Sequence, residues 1–455
     1  MKSSAWREPS PQYLQLCAEE IFEQPTLLHW HLALPTKNAL AQNGHASVAK
    51  LVSELAASPA MRECQQWFAR EKQWINEQHL QLCRIPAPTF FEQRRAEWIT
   101  AQFKELGCDA RMDRAGNVIA CAAGVQDLDD PRRGPFIAVT AHLDTVLAPR
   151  NNEEISFAPD GRMLGPGVSD NGAGLAALLA IARVMRCCPL PAHNTSSLLL
   201  IANVGEEGEG NLSGMRYLCR QSPLGTKLAG FIVLDGPSMD HITSQALASR
   251  RFDVTISGPG GHSWSDYGVA NPVHALSRAI SLFTDHRAAT AGMPRSSFNF
   301  GILEGGSSIN SIPSHARTKL DVRSESSAKL EELAALLTSC VERAIEVENE
   351  GANGRKVTAK IRDIGARPGG KLADDAALLS YIRAVDAHFG IRSRLDCAST
   401  DANVPLSMNV PAISIGAGGT GGGAHTSQEW FHPEGREFGL KRILLTACLL
   451  LRDLE

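Results

Sequence analysis

Three continuous apolar segments constrain the fold of this chain most strongly. Residues 135–141, 197–204 and 230–234 have the length of strands and carry apolar side chains at almost every position. A strand with one solvent-facing side alternates polar and apolar residues, whereas a strand covered on both faces does not. A very apolar helical segment, 172–185, lies between the first two. This order predicts a three-layer α/β domain with a mixed, largely parallel sheet.

A second region has a different pattern. Residues 251–257 alternate as a half-exposed strand does, and the segments that follow predict the order βαββαβ. A buried strand at 411–415 then indicates that the first domain resumes after this insertion. Before both regions, Pro59 fits the first turn of a long helix toward Leu82. We expect a helical N-terminal extension over 1–75, the main domain over 76–250 and 366–455, and the inserted domain over 251–365.

Composition excludes several classes of protein. A net charge of −4 argues against nucleic acid or an anionic membrane surface as the partner. The first eight residues are not followed by an apolar segment of the kind found in secretory signals, and the longest apolar runs have only strand length. The eleven cysteines are dispersed and odd in number, which is typical of reduced thiols. We expect a cytoplasmic protein.

Acidic and imidazole side chains follow each of the apolar strands. His142 and Asp144 follow the first strand and share one side of an extended segment, because side chains alternate there. Glu206 and Glu207 follow the second, and Asp235 follows the third. Two adjacent acids usually form a solvated turn. The carboxyl ends of strands in open α/β sheets, however, are where functional sites collect.

Two glycine-rich segments add further candidates. Asp170 precedes the apolar helix, where it can either cap the helix or bridge two cations. His425 follows a run of glycines, which also raises the possibility of a phosphate-binding loop. The Gly-Lys-Ser/Thr sequence of that loop is absent, so this alternative is disfavoured. Carboxylates and imidazoles around two divalent ions can activate a water, with a neighbouring carboxylate as the base.

The order of these segments resembles a known family. The segments that carry the resemblance are residues 138–146, 167–174, 203–208, 234–236, 260–263 and 422–426. They are similar to the co-catalytic zinc metallopeptidases, a family that includes peptidase T, glutamate-releasing carboxypeptidases, aminoacylase and succinyl-diaminopimelate desuccinylase. The resemblance covers roughly residues 76–455 and is closest to peptidase T-like members.

The resemblance implies a set of metal ligands. Asp170 would bridge two divalent ions, with zinc favoured over cobalt or manganese. His142 and Asp235 would complete the first ion, and Glu207 and His425 the second. The family also implies a cis peptide bond between Asp170 and Asn171.

The resemblance assigns further roles near and beyond the ions. Asp144 would orient His142, and Glu206 would act as general base and then acid. The inserted domain would serve as a lid and dimerisation domain, with an exposed edge strand near 263–269. Within it, His262 would stabilise the oxyanion, commonly from the partner subunit. Asn310 and Arg323 would bind substrate, although an arginine at a strand end is more often a surface ion-pair partner.

We therefore expect a homodimeric hydrolase of the amide bond in small peptides. The alternative on the same site is deacylation of N-acyl amino acids. A third possibility is a non-catalytic binding protein on this scaffold, which would be expected to have lost Glu206 or a ligand.

Overall fold

The computed structural model describes residues 45–121, 133–188, 197–286 and 294–454. Most of the predicted N-terminal extension, residues 1–44, lies outside this range. The chain divides into two compact units. The second unit comprises Gln245–Lys371 and Cys397–Ser399, and the first unit comprises the rest.

The described chain begins with four helices, after which strands and helices are interspersed. The helices are α1 His45–Ala57, α2 Pro59–Arg70, α3 Lys72–Cys83, α4 Gln93–Glu105, α5 Gly172–Cys187, α6 Ser213–Arg220, α7 Pro272–Asp285, α8 Ser327–Glu350, α9 Ala377–Phe389, α10 Asn403–Ser407 and α11 Arg436–Arg452. The strands are β1 Asp109–Met112, β2 Val118–Cys121, β3 Phe136–His142, β4 Ser156–Phe157, β5 Met163–Leu164, β6 Leu198–Asn203, β7 Leu228–Leu234, β8 His241–Ala246, β9 Ala248–Ser257, β10 Gly261–His262, β11 Ser296–Gly305, β12 Ser311–Ile312, β13 His315–Ser324, β14 Thr358–Arg367, β15 Gly370–Lys371, β16 Arg394–Ala398, β17 Ala412–Ile415, β18 Thr420–Gly422 and β19 Trp430–His432.

The large sheet has the order β1-β2-β6-β3-β7-β17-β8-β15, with β16 beside β8. Its four central strands, β6, β3, β7 and β17, run parallel, and the strands outside them pair antiparallel. Every residue of β3 and β6 is buried. Helix α5 packs on β3 and β6, and α11 packs on β3 and β7. The predicted α/β fold with a mixed sheet is confirmed, and its parallel part is confined to the centre.

The helices before the sheet correct one expectation. The single long helix predicted from Pro59 is wrong, because α2 ends at Arg70 and α3 begins at Lys72. Glu71 between them has φ −95° and ψ 25°, outside the helical range. Residues 60–83 contain neither glycine nor proline, so the sequence carried no local signal for a break at Glu71. Ser58 caps α2 by accepting a hydrogen bond from the Met61 N–H.

The second unit is built on a four-stranded antiparallel sheet. Its order is β11-β13-β9-β14, and α7 and α8 pack on it and on each other. The predicted βαββαβ order is therefore confirmed, with the short pair β10 and β12 added to it. Alternate residues of β13 are buried, as expected for a sheet with helices on one face.

The predicted edge strand at 263–269 is wrong, because these residues form a turn. The Asp266 carboxylate accepts the His262 N–H at 2.7 Å, and Gly268 has φ +98°. These local interactions bend the chain directly after β10. The edges of the four-stranded sheet are β11 and β14 instead.

Candidate active site

Seven predicted site residues lie in the first unit, at the carboxyl ends of its central strands and in two loops. His142 is the last residue of β3, Asp235 directly follows β7, and Glu206 and Glu207 follow β6. Because β6, β3 and β7 are adjacent and parallel, their carboxyl ends meet at one edge of the sheet. Asp170 lies two residues before the first residue of α5 and reaches the same end of the central strands. The strand order thus brings together residues that are far apart in sequence.

The ligand atoms form two groups that share Asp170. One group contains His142, Asp170 and Asp235, and the other contains Asp170, Glu207 and His425. Within each group, one ligand atom per residue lies within 4.8 Å of the others. His142 Nε2 is 3.0 Å from one oxygen of Asp170, and His425 Nε2 is 3.0 Å from its other oxygen. These groups have the composition that the resemblance assigned to the two ions.

Both histidines are held in position by the backbone. The His142 Nδ1–H donates to the backbone carbonyl of Asp144 at 2.9 Å, which directs Nε2 toward Asp170. His425 adopts a left-handed conformation with φ +65°, which is uncommon for a residue other than glycine. Its Nε2 also lies 2.8 Å from Glu207. The Asp170–Asn171 peptide bond is cis, as the resemblance implied.

Negative charge accumulates in this site. Burial and the neighbouring Glu206 raise the pKa of Glu207 to about 7. Burial and Asp170 raise the pKa of Asp235 well above its usual range. Burial also pulls the pKa of Asp170 upward, but hydrogen bonds from His142 and His425 hold it well below its usual range. The two groups that share Asp170 thus combine three carboxylates with two imidazoles, a donor set of oxygen and nitrogen atoms that fits divalent ions such as zinc.

The Asp144 carboxylate contacts a loop as well as lying near His142. Its carboxylate oxygens accept the backbone N–H groups of Glu206 and Glu207 at 3.0 and 2.9 Å. Thr89 donates its hydroxyl to the same carboxylate at 3.0 Å. The nearer carboxylate oxygen lies 3.6 Å from His142 Nδ1, whereas the backbone carbonyl of Asp144 accepts the Nδ1–H at 2.9 Å. The side chain instead fixes the turn that carries both glutamates.

Three buried acids around the site were missed by sequence reasoning. Glu92 accepts the Gly205 N–H, and Glu429 accepts backbone N–H groups in the Asp170 loop. Asp401 accepts the Asn203 side-chain amide at 2.6 Å, and burial together with Glu206 raises its pKa to about 7. None of the three follows a continuous apolar strand. Their contacts with distant segments appear only in the folded chain.

Glu206 has the position expected of a base. It is 5% exposed and lies with His142 and Glu207 in a third group of side chains whose ligand atoms are within 4.8 Å. Glu206 therefore lies beside the two groups that share Asp170 and belongs to neither of them. A carboxylate beside a set of candidate metal ligands, but outside that set, can exchange a proton with a water molecule.

Comparison with known proteins identifies the family. Residues 138–447 match the model of peptidase family M20/M25/M40. This chain belongs to peptidase family M20/M25/M40. Members of this family include peptidases and dipeptidases, and the chain is accordingly a hydrolase that acts on amide bonds.

Individual relatives support the family assignment. The chain is 26% identical to the cytosol non-specific dipeptidase of Escherichia coli, over 73% of this chain and 69% of that protein. It is 23% identical to the protein YqjE of Bacillus subtilis, over 83% of this chain and 97% of that protein. The solved aminopeptidase PepT of Bacillus cereus has a TM-score of 0.63 at 20% identity, covering 84% of this chain and 98% of that chain. The last similarity concerns the fold.

The remaining predicted residues of this M20/M25/M40 member lie in its second unit. His262 in β10 pairs with Ser311 in β12, and the Ser263 N–H donates to the Asn310 carbonyl at 3.0 Å. His262 and Asn310 are therefore neighbours. Arg323 lies near the opposite end of β13 from these short strands and donates to Asp321 at 2.8 Å. The structure thus places Arg323 apart from the other two, in the surface ion pair that was its alternative.

The described helices of this family member show no membrane-spanning segment. None of them combines the length and the apolar character that a bilayer crossing requires.

Proposed function

We propose that this M20/M25/M40 member hydrolyses the amide bond of small peptides with two divalent metal ions. One observation carries the proposal, namely the two ligand groups that share Asp170, with Glu206 beside both. His142 and Asp235 would hold one ion, Glu207 and His425 the other, and Asp170 both. Zinc fits this donor set, as do cobalt and manganese.

Each residue of the site then has a defined task. The bound ions supply Lewis-acid chemistry, which polarises the substrate carbonyl and makes a water more acidic. Glu206 accepts a proton from the attacking water and later delivers it to the leaving nitrogen. The Asp144 carboxylate fixes the backbone of both glutamates, so that Glu206 and Glu207 keep separate tasks.

Small peptides are favoured as substrates by the relatives. The E. coli relative is a dipeptidase, and its similarity extends over most of both chains. Deacylation of N-acyl amino acids uses the same chemistry and remains the competing outcome.

Metal content and substrate panels test this function. Purified protein is expected to bind close to two ions per chain, to lose activity with a chelator and to recover it when zinc, cobalt or manganese is restored. A panel of dipeptides and tripeptides should be cleaved faster than a matched panel of N-acetyl amino acids. Full activity of metal-stripped protein would contradict the two-metal proposal. A preference for the N-acetyl panel would identify a deacylase.

We also propose that the second unit forms a homodimer and contributes to substrate binding and the oxyanion contact. Its edge strand β11 is mostly exposed, and Leu303 on it is 64% exposed. Trp264 and Tyr267, which follow His262, are 86% and 87% exposed. Unpaired edge strands and exposed apolar groups are typical of association surfaces. Asn310, beside His262, would bind substrate, and Arg323 remains a weaker candidate for that task.

Subunit mixing tests the oxyanion proposal. The inactive variants His262→Ala and Glu206→Gln should complement each other after subunit exchange, because a mixed dimer has one site with both residues intact. Activity should appear only after exchange, whereas each variant exchanged with itself should stay inactive. If activity is not recovered although exchange is demonstrated, His262 does not act across the dimer.

A further inference from the structure

Glu429 is a buried acid that no role assigned so far explains. It is 3% exposed and lies four residues after His425. Its carboxylate accepts three backbone N–H groups, from Gly167 at 2.8 Å, Ser169 at 2.7 Å and Asp170 at 2.8 Å. Its own backbone carbonyl accepts the Gly165 N–H at 2.9 Å. One residue therefore holds the whole loop that precedes the shared ligand Asp170.

These bonds require a carboxylate. One oxygen of Glu429 accepts both Ser169 and Asp170, and the other accepts Gly167. Glutamine has one accepting oxygen and one donating NH₂ group. In its place, the NH₂ group would therefore point at a backbone N–H, and two donors would oppose each other. Burying a charge without partners is costly, and the three charge-assisted bonds offset part of that cost, although burial still raises the pKa of Glu429. The site is thus matched to the ionised side chain.

The segment from 423 to 429 couples Glu429 to His425. Gly423 has φ +70°, and an added Cβ there would lie 2.8 Å from the Gln428 carbonyl, so the segment is tightly folded. Thr426 closes it by donating its hydroxyl to the Gly423 carbonyl at 2.7 Å. The compact turn carries His425 near one end and Glu429 at the other. Any shift of Glu429 would therefore move both the Asp170 loop and the His425 turn.

We propose that Glu429 is a positioning residue that sets the distance between Asp170 and His425 and thereby the affinity for divalent ions. The inference rests on the proposed two-metal function. Glu429 belongs to none of the groups of candidate metal ligands. It acts through the backbone of Asp170, the one ligand shared by both groups, and through the turn that carries His425. Residues that hold metal ligands in this way typically contribute 10- to 100-fold to metal affinity or activity.

The test is a zinc titration of metal-stripped Glu429→Gln protein beside the wild type, with activity followed in parallel. Zinc affinity is expected to fall by roughly 10- to 100-fold, and activity to return as zinc is raised. Glu434→Gln is the matched control, because Glu434 is in the following segment with its side chain 88% exposed. That variant should bind zinc as the wild type does. Substituting cobalt for zinc adds a spectroscopic comparison, in which Glu429→Gln should change the absorption of the bound cobalt.

The outcomes separate this inference from the function on which it rests. Unchanged zinc affinity in a folded Glu429→Gln protein, with only the thermal midpoint lowered, would overturn the proposal and leave a purely structural role. If Glu429→Gln does not fold, the same titration is made on Glu429→Asp, which keeps the charge but is one methylene shorter. Unchanged affinity there would also overturn the proposal. If the wild type itself binds no divalent ions, the proposed function fails first.

Discussion

Buried carboxylates occur in both units, but the charges around them differ. In the second unit, Asp253 is 1% exposed and accepts two hydrogen bonds from Arg317, at 2.9 and 2.6 Å, and one from Arg362 at 2.7 Å. Hydrogen bonds from Arg317 hold the pKa of Asp253 down to about 2. In the first unit, burial and Glu206 raise the pKa of Glu207 to about 7 instead.

The comparison distinguishes a carboxylate that the fold itself neutralises from carboxylates whose charge the fold leaves unbalanced. Asp253 is neutralised by the chain's own arginines and needs nothing further. Glu207 and Asp235 are buried and face other carboxylates with few cations near them, so the pKa of each is raised. Crowded acids with strongly raised pKa values are a mark of functional sites. Divalent ions would supply the missing positive charge.

The sharpest way to test this view is to separate the two adjacent glutamates. Glu206→Gln removes the base and leaves all five proposed ligands, so kcat should fall by roughly 10²- to 10⁴-fold with metal retained. Glu207→Gln should instead lose affinity for one ion. Steady-state kinetics and metal analysis of both variants check this. The opposite pair of phenotypes would show that base and ligand have been exchanged.

The metal-free site should respond to pH in a defined direction. Glu207 has a folded pKa of about 7, above its ordinary 4.5, so the folded state holds a proton that the unfolded state releases. Its contribution to stability therefore falls as pH rises from about 4.5 to 7. Metal-stripped Glu207→Gln should be more stable than the wild type at pH 8, by about 3 kcal/mol, and similar at pH 4.

Urea unfolding of both proteins in the presence of a chelator measures this difference. Adding zinc should reverse the order at pH 8, because an ion that binds the folded state stabilises it. A wild type that remains the more stable protein at pH 8 without metal would mean that its carboxylates are not crowded.

The part of the site that was predictable consists of residues tied to strands. His142 and Asp235 end continuous apolar strands, and the parallel order of those strands brings their ends together. The fold class therefore implies that these two side chains lie close together. The same reasoning predicted the βαββαβ order of the second unit, because its strand segments alternate polar and apolar residues and its helical segments repeat them at helical spacing.

The unpredicted part consists of contacts with the backbone of distant segments. Glu429 is 262 positions from Gly167, and nothing in either segment alone specifies that they meet. Glu92 and the carboxylate of Asp144 likewise accept hydrogen bonds from backbone N–H groups. Any acidic side chain could accept such bonds, so the sequence does not single these two out. The turn at 263–269 is held by the Asp266 carboxylate and includes Gly268 with φ +98°, within a segment whose overall composition permits a strand. Sequence patterns indicate which residues are buried and how polar and apolar residues repeat. Hydrogen bonds to distant backbone groups leave both patterns unchanged.

The smallest expected effect concerns the charge pair of the second unit. Asp253 has a folded pKa of about 2, below its ordinary 3.8, so its stabilisation is present above pH 4 and is lost as pH falls toward 2. Because Arg317 and Arg362 are partly exposed, Asp253→Asn should cost only about 1–2 kcal/mol at pH 7. Asp321→Asn is the control in the same sheet, since that carboxylate is 30% exposed beside Arg251 and Arg323 and should cost less. Urea unfolding at pH 7 and pH 3 measures both variants, and the Asp253 difference should shrink at pH 3. Chelator should leave it unchanged, whereas a metal-dependent or equally large loss at Asp321 would remove the distinction between the two units.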